Sequence, residues 1–182
     1  MTVCLSHTGH RTAAEVLARG HAAVTAFCAQ LRSLVAHRRG ADITASDHHP
    51  LAGAFMAHNA SLNALPPLPY RHGDWAATQH LHALGSLEDQ TLVNGRYDLI
   101  IGADLLYDRD QPQALSQFIH RHSGNDVEVV IGDPDRSNHA SFSRKMGVLG
   151  YSHTEAKVHQ LPDGASYKGR LHSYLRQTSG DA

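Results

Sequence analysis

Two short, continuous apolar runs in the second half of the chain predict buried β-strands. The runs are Tyr97–Ala103 and Val127–Ile131, in which leucine, isoleucine and valine lack the alternation of a half-exposed strand. Uninterrupted runs of this length are typical of strands covered on both faces in a parallel sheet. A shorter run, Ile43–Ser46, predicts a third strand. We expect the three strands to be neighbouring, parallel and largely buried.

Between these strands, apolar residues recur at spacings of three, four and seven and predict helices. The helical pattern covers four segments: Arg11–Arg39, Leu51–Leu62, Pro112–His122 and Ser137–Leu149. Gly40 is expected to end the first helix in a left-handed conformation, which costs least for glycine. In the second helix, the larger apolar residues fall on one side: Leu51, Phe55, Met56 and Leu62. Residues 1–10 have no periodic pattern, and no element is predicted there.

Three weaker signals complete the predicted order. Tyr70–Trp75 is a possible strand after a proline-rich break. Near the end of the chain, Tyr151–Val158 and Leu171–Gln177 alternate as an antiparallel pair around Pro162–Gly164. Strands that alternate with helices favour an α/β fold. The predicted fold class is therefore a Rossmann-like, mostly parallel sheet with helices on both faces and an antiparallel closing pair.

The composition narrows the class of protein. With 182 residues, 41% of them apolar and 18% charged, the chain can form the core of one folded domain and is not of a disordered type. The formal net charge of -1 argues against a general binder of nucleic acid or of membranes. No apolar run reaches the roughly 20 residues of a membrane span. Cys4 and Cys28 form neither a disulfide framework nor a zinc spacing, and a reducing cytoplasm is the expected location.

Histidine is unusually frequent, with 16 residues scattered along the chain. A metal site requires several ligands to converge, and short sequence motifs such as HExxH bring histidines together on one helix. Neither that motif nor a cysteine pair accompanies the histidines here. The sequence therefore predicts no metal site, and the histidines are expected at the surface and at supporting positions.

Four predicted strands carry an aspartate at or near their carboxyl ends: Asp47, Asp74, Asp104 and Asp133. In open α/β sheets, ligands bind beyond these strand ends. The alternative is that the aspartates cap the following helices or form turns. That alternative is weakest for Asp47, because a carboxylate at the end of the second strand holds ribose hydroxyls in nucleotide-binding folds. We expect four side chains to converge on one cleft: Asp47, Asp74, Asp104 and Tyr107.

Several segments resemble one family when they are taken together. The run YDLIIGADLLYDRDQ resembles the D-x-x-Y strand end of the class I, seven-β-strand methyltransferases that modify lysine. ASDHHPLAGAFMAHNASLN is similar to their second strand and helix, and HGDW to their next strand. VVIGDPDRSNHASF resembles the branch that contains the electron-transfer-flavoprotein β-subunit lysine methyltransferases. The resemblance extends from about Ser33 to Val158 in the family's order.

The resemblance implies a cofactor and a reaction. The cofactor would be S-adenosylmethionine, and its methyl group would pass to the lysine side chain of a protein substrate. Asp47 would hold the cofactor's ribose, and Asp74 and Trp75 would border the adenine. Such enzymes need no covalent nucleophile, because proximity and loss of charge in the transition state do most of the work.

The resemblance also implies a set of residues around the substrate. Asp104 and Tyr107 would be the catalytic residues that orient the amine at the point of methyl transfer. Asp133, Pro134 and Arg136 would form the opposite rim of the site. The alternative for these last three is a structural turn that ends the strand before them.

The chain departs from this family at its start. Such methyltransferases begin with a strand that leads into a D/E-x-G-x-G-x-G turn, whose glycines let the backbone approach the cofactor's methionine part. Here Val24–Arg32 stands at that position and holds no glycine. An upstream deletion, a shifted reading frame and a degenerate paralogue would each produce this departure. We therefore predict that the usual first strand is missing and that S-adenosylmethionine binding is weakened.

Two other functions remain open at this stage. The chain could be a binding module that keeps the fold and has lost the cofactor, or a small-molecule methyltransferase, because the fold says little about the substrate. We expect residues 1–32 to form an atypical, partly helical N-terminal segment and residues 33–182 the methyltransferase-like domain. No nucleic-acid or membrane partner is predicted, and the oligomeric state stays open.

Overall fold

A computed structural model describes most of the chain: residues 2–6, 29–47, 49–73, 75, 92–106, 111–135, 137–160 and 164–177. These residues form one seven-stranded sheet in the order β3-β2-β1-β4-β5-β7-β6. The strands are β1 (Thr2–Ser6), β2 (Ile43–Asp47), β3 (Tyr70–His72), β4 (Tyr97–Ala103), β5 (Ser123–Asp133), β6 (Ser152–Gln160) and β7 (Ser166–Arg176). The helices are α1 (Ala29–Arg38), α2 (Ala52–Leu62), α3 (Gln111–His122) and α4 (His139–Val148).

The sheet is mixed, and its strand directions follow the predicted scheme apart from β1. β2 is parallel to β3, and β4 is parallel to β5. At the far end, β7 is antiparallel to both β5 and β6, which confirms the predicted closing pair. β2 and β4 are parallel, as predicted, but the prediction that they are neighbours is wrong. β1 lies between them and is antiparallel to both.

β1 is therefore the main departure from the predicted fold. Thr2–Ser6 lies third in the sheet, between β2 and β4, although the sequence predicted no strand there. Its last residue, Ser6, pairs with Ile43 and Leu99, the residues near the starts of β2 and β4. The carboxyl end of β1 thus lies at the opposite side of the sheet from the carboxyl ends of β2 and β4.

Alternating side chains of β4 supply two separate cores, one on each face of the sheet. Ile100 belongs to a core that includes Phe118 of α3 and Phe142 of α4. Leu99 and Ile101 belong to the other core, which α1 and α2 cover. Helices on both faces explain why the β4 and β5 sequences are apolar without alternation.

The face that α2 turns toward the sheet differs from the expected one. Its buried residues are Ala52, Met56 and Ala60. Leu51, Phe55 and Leu62, which the spacing grouped with Met56, are exposed to 66%, 56% and 70%. Alanines let the helix backbone approach the sheet closely, so the larger side chains are left on the solvent side.

The end of α1 agrees with the sequence. Gly40 has a φ of +75°. Its amide donates to the carbonyl of His37, and the amide of Ala41 donates to the carbonyl of Ala36. This is the double hydrogen bond of a glycine-terminated helix. The part of the predicted first helix that precedes Ala29 lies outside the described residues. None of the described helices is long and apolar enough to span a membrane.

Candidate functional site

Three of the predicted site aspartates lie at the same side of the sheet. Asp47 is the last residue of β2, Asp133 is the last residue of β5, and Asp104 directly follows β4. We call this side, defined by those three residues, the aspartate end of the sheet. Thr2 pairs with Asp47, and Val3 pairs with Gly102. Because adjacent strands lie about 4.8 Å apart, the backbones at Asp47 and Asp104 are roughly 10 Å apart across β1.

Asp47 is held firmly in place by the segments around it. Only 4% of its surface is exposed, and its Oδ1 accepts a hydrogen bond from the amide of His49 over 2.9 Å. Its carbonyl oxygen accepts bonds from the Tyr70 hydroxyl and from the amide of Gly73, each over 3.0 Å. Burial, and then the nearby Asp47 carboxylate, raise the pKa of the Tyr70 hydroxyl. Asp47 therefore closes a turn as well as marking the strand end.

Asp104 is an exposed residue in a constrained backbone conformation. Its φ is +53°, a left-handed value that a residue other than glycine adopts at an energetic cost. Behind it, Leu105 and Leu106 are fully buried. The side-chain amide of Asn138 donates to the carbonyl of Leu106 over 2.9 Å. The buried leucines and this bond keep the Asp104 turn in place, and such strained residues are concentrated at functional sites.

Trp75 lies away from the solvent and against a helix. It is 8% exposed, and its ring centroid is 6.3 Å from that of Phe118 on α3. Its predicted place beside an adenine ring remains a prediction. Asp74, Tyr107 and Arg136 lie outside the described residues, so their predicted convergence with Asp47 and Asp104 also remains a prediction.

The turn after β5 is held in place by side chains of β7, the second strand after β5 in the sequence. Asp133 is 3% exposed, whereas Pro134 is half-buried. Asp135 has a φ of +66° and pairs with Arg170 Nε at 2.5 Å and Lys168 Nζ at 3.2 Å. The hydrogen bond from Arg170, followed by that from Lys168, holds the pKa of the Asp135 carboxyl below its usual range. These ion pairs hold the turn in place, and the predicted role of this segment at the rim remains a prediction.

A cluster of histidines beside Asp133 was not identified from the sequence. His172 of β7 is completely buried, and its ring centroid lies 5.3 Å from those of both His139 and His153, with interplanar angles of 24°. Burial is the main reason that the pKa of His172 falls to about 4, followed by the charge of His153. Potential ligand atoms of Asp133, His139 and His172 all lie within 4.8 Å of one another. These residues come from three elements, so no short sequence spacing could indicate the cluster.

The described residues fit only part of an S-adenosylmethionine site. A buried carboxylate at the end of β2 suits ribose hydroxyls, and an exposed carboxylate after β4 suits a reacting amine. The methionine part of that cofactor needs backbone amides at the aspartate end, in a turn that follows the first strand. Here the carboxyl end of β1 lies on the opposite side, so β1 does not lead into such a turn.

Comparisons with known proteins show what the chain resembles. No family model matches the chain. It is 29% identical over 102 residues to the electron transfer flavoprotein beta subunit lysine methyltransferase of Mus musculus, and 28% identical over 103 residues to that of Rattus norvegicus. The matches cover 56% of this chain in both cases, and 34% and 35% of the relatives. The chain thus matches about a third of the length of these relatives.

Similarity to solved structures identifies the fold of the chain. A magnesium protoporphyrin IX methyltransferase from Synechocystis PCC 6803 with bound SAM is 16% identical, with a TM-score of 0.57 over 81% of this chain and 65% of that one. A TehB-like SAM-dependent methyltransferase from Corynebacterium glutamicum is 18% identical, with a TM-score of 0.55 over 82% and 76%. Together with the sequence matches, these structures confirm the resemblance. The chain has the Rossmann-like fold of the class I methyltransferases.

Proposed function

We propose that this chain, with its class I methyltransferase fold, is a SAM-dependent methyltransferase that acts on a lysine side chain of a protein. The observation that carries the proposal is the placement of Asp47 and Asp104 at the ends of the parallel strands β2 and β4. In open α/β sheets this is where ligands bind. The lysine specificity is supported by the two mammalian relatives, whose names describe lysine methyltransferases.

Asp47 is proposed to hold the ribose of SAM. Its carboxylate is buried at a strand end and is already oriented by the His49 amide, so it needs no reordering to accept hydroxyl hydrogen bonds. Asp74 and Trp75 are proposed to border the adenine, beyond the end of β3. When bound, SAM supplies a methyl group on a positively charged sulfur.

Asp104 is proposed to receive the substrate amine. Its carboxylate is exposed at the aspartate end, on a turn that buried leucines hold rigid. A carboxylate that accepts a hydrogen bond from the lysine amine orients the nitrogen lone pair, and correct orientation accounts for a large share of catalysis in group transfer. Tyr107 is proposed to complete this contact. Asp133, Pro134 and Arg136 are proposed to form the opposite rim.

The direction of β1 favours a second candidate, a methyltransferase-fold module with little or no cofactor binding. Among the described residues, β1 brings no turn to the aspartate end and so supplies no backbone partners there for the methionine carboxylate and amine of SAM. Charge-assisted hydrogen bonds contribute about 1.5–3 kcal/mol each. The two candidates therefore differ in one measurable property, the affinity for SAM. Because that affinity is expected to be low, methyl transfer must be assayed at a saturating SAM concentration.

The experiment measures methyl transfer from methyl-labelled SAM to purified electron transfer flavoprotein and, separately, to free amines. The proposal predicts label on the intact protein, recovered as methyl-lysine after hydrolysis, and its loss in Asp104→Asn. Asp126→Asn is the matched control, because Asp126 is an exposed residue near the start of β5, far from the aspartate end. Label on free amines alone would identify a small-molecule methyltransferase, and no label on either would favour the cofactor-deficient module.

A further inference from the structure

We propose that Asp133, His139 and His172 form a binding site for a divalent transition metal ion, with zinc as the ion best suited to it. The three residues come from the end of β5, the first turn of α4 and the middle of β7. One potential ligand atom from each lies within 4.8 Å of the other two. The cluster shares Asp133 with the rim proposed above, but the inference does not rest on the proposed methyltransferase function.

His172 provides the observation that points to a ligand. Its side chain is completely buried, and its Nε2 has no hydrogen-bond partner among the residues that the structure describes. Buried polar atoms are nearly always paired, so an unpaired ring nitrogen in this position calls for an explanation. A metal ion bound at Nε2 supplies one.

The other ring nitrogen of His172 is already oriented by its neighbours. Nδ1 lies 3.0 Å from Nε2 of His153 and 3.7 Å from Oε2 of Glu155. When Nδ1 carries the ring hydrogen and donates it to His153, the lone pair resides on Nε2. Histidines that bind metals usually have their second nitrogen held in this way by an outer hydrogen bond, which fixes the tautomer and the ring orientation.

The residue types select the class of ion. Two imidazole nitrogens and one carboxylate oxygen are typical ligands of zinc and of related divalent transition metals, whereas magnesium and calcium favour oxygen ligands. Bonds of about 2.0–2.2 Å in a tetrahedral site place ligand atoms roughly 3.5 Å apart. Separations of at most 4.8 Å therefore need only small side-chain rotations. Three protein ligands leave one tetrahedral position for water.

A second triad shares His172 but fits a metal less well. It consists of His153, Glu155 and His172, and its first two members are exposed. Glu155 is already paired with Arg170, which also pairs with Asp135. In this triad Glu155 faces Nδ1, the nitrogen that His153 already engages. We therefore assign the metal to the buried triad, with His153 as a positioning residue.

Metal binding at this place would clamp the start of α4 to β5 and β7. Asp133 follows Gly132, whose carbonyl accepts the amide of Asp104 over 2.9 Å. The clamp would thus lie next to the Asp104 turn. We expect the bound ion to stabilise the fold, because a ligand that binds only the folded state raises the midpoint of thermal unfolding.

The test is calorimetric titration of the chelator-treated protein with Zn²⁺, with Mg²⁺ titrated separately, and with thermal unfolding as a second readout. We expect one Zn²⁺ per chain, no binding of Mg²⁺, and a rise in Tm of about 5–10 °C at a hundredfold excess over Kd. Asp133→Asn and His139→Asn should each weaken zinc binding by roughly a hundredfold. Co²⁺ should give the visible absorption of a tetrahedral site, and this absorption should be lost in both variants.

His159→Asn is the matched control, because His159 is an exposed histidine on β6 outside both triads. It should bind zinc like the natural chain. Far-UV circular dichroism checks that each variant folds, because His139 is the first residue of α4. Unchanged one-to-one binding in Asp133→Asn and His139→Asn would overturn the proposal, as would the absence of a stoichiometric site. Loss of binding in Glu155→Gln, with Asp133→Asn unaffected, would assign the ion to the other triad and also overturn it.

Discussion

The backbone amide of Asp104 donates a hydrogen bond to the carbonyl oxygen of Gly132 over 2.9 Å. β4 and β5 thus remain tied together one residue beyond the end of β4, at the residue where the chain turns left-handed. The bond fixes the position of an exposed carboxylate relative to the neighbouring strand end. The role proposed for Asp104, receiving the substrate amine, needs this kind of support from the elements that carry it.

Replacing Asp104 should separate stability from activity. At a φ of +53°, glycine is favoured over aspartate and aspartate over alanine. Asp104→Gly should equal or exceed the natural chain in free energy of unfolding, by up to about 1 kcal/mol, and Asp104→Ala should lose about 1 kcal/mol. All Asp104 variants should lose methyl transfer. Urea denaturation measures the free energies of unfolding and so their order. A clear loss of stability in Asp104→Gly would show that the left-handed backbone at Asp104 is not strained.

Gly102 should tolerate no side chain. A Cβ at this position would lie 2.3 Å from Cδ1 of Leu105 and 2.9 Å from Cδ1 of Ile131. Gly102→Ala should therefore destabilise the protein by about 1–3 kcal/mol, as overpacking of a core does. Gly147→Ala is the control, because nothing lies within 4 Å of the added Cβ and alanine favours a helix. If both variants unfold at the same urea concentration, Leu105 does not pack against Gly102 in solution.

The sequence predicted the elements that a short stretch of residues is enough to indicate. β4 and β5 are continuous apolar runs, and Gly40 ends α1 because the left-handed turn requires it. The aspartates at the strand ends were also identified, since a carboxylate after an apolar run is visible in the sequence alone. Asp47 and Asp104 were expected on the same side of the sheet, and their strands place them there.

Features that depend on distant pairing were not predictable. Thr2–Ser6 has no periodic pattern, and its place in the sheet follows from its register with β2 and β4. The face of α2 that packs on the sheet depends on how closely the helix backbone approaches the sheet. Small residues lie on that face, and Phe55 is left exposed. His172 lies far along the chain from Asp133 and His139, and only the fold brings the three side chains together.

His120 should make the stability of the protein depend on pH. Its Nδ1 accepts a hydrogen bond from Arg176 over 2.8 Å, and it faces the ring of Tyr151 at 6.2 Å. Burial, and then the charges of Arg176 and Arg96, lower the pKa of His120 in the folded state. When the pH falls below about 6.5, the unfolded state takes up the proton first, so the folded state loses stability.

The measurement for His120 is the free energy of unfolding between about pH 7.5 and about pH 5.5. His120→Asn cannot take up this proton, so its stability should fall less over that interval. The difference between the two pH profiles isolates His120 from the other histidines. Parallel profiles would show that the pKa of His120 is the same in the folded and unfolded states.

Restoring a glycine-rich strand and turn should strengthen cofactor binding. In this variant a D-x-G-x-G-x-G segment, preceded by a β-strand sequence, replaces Val24–Arg32 ahead of Ser33. A parallel first strand would then bring backbone amides to the aspartate end. SAM affinity should rise by roughly two orders of magnitude, on the basis of two or three regained hydrogen bonds. The same segment without its glycines is the control. Equal SAM affinities in the two variants would show that the missing glycines do not cause the weak binding.

We expect the chain to keep the ribose side of a SAM site but to lack a complete methionine side, because β1 is antiparallel to β2 and β4. Calorimetric titration of the purified chain with SAM tests this claim directly, with Asp47→Ala and Asp126→Ala as paired variants. We predict a Kd of about 100 µM or weaker, lost in Asp47→Ala and unchanged in Asp126→Ala. Binding at about 1 µM with near-unit stoichiometry, or binding that Asp47→Ala leaves intact, would contradict it.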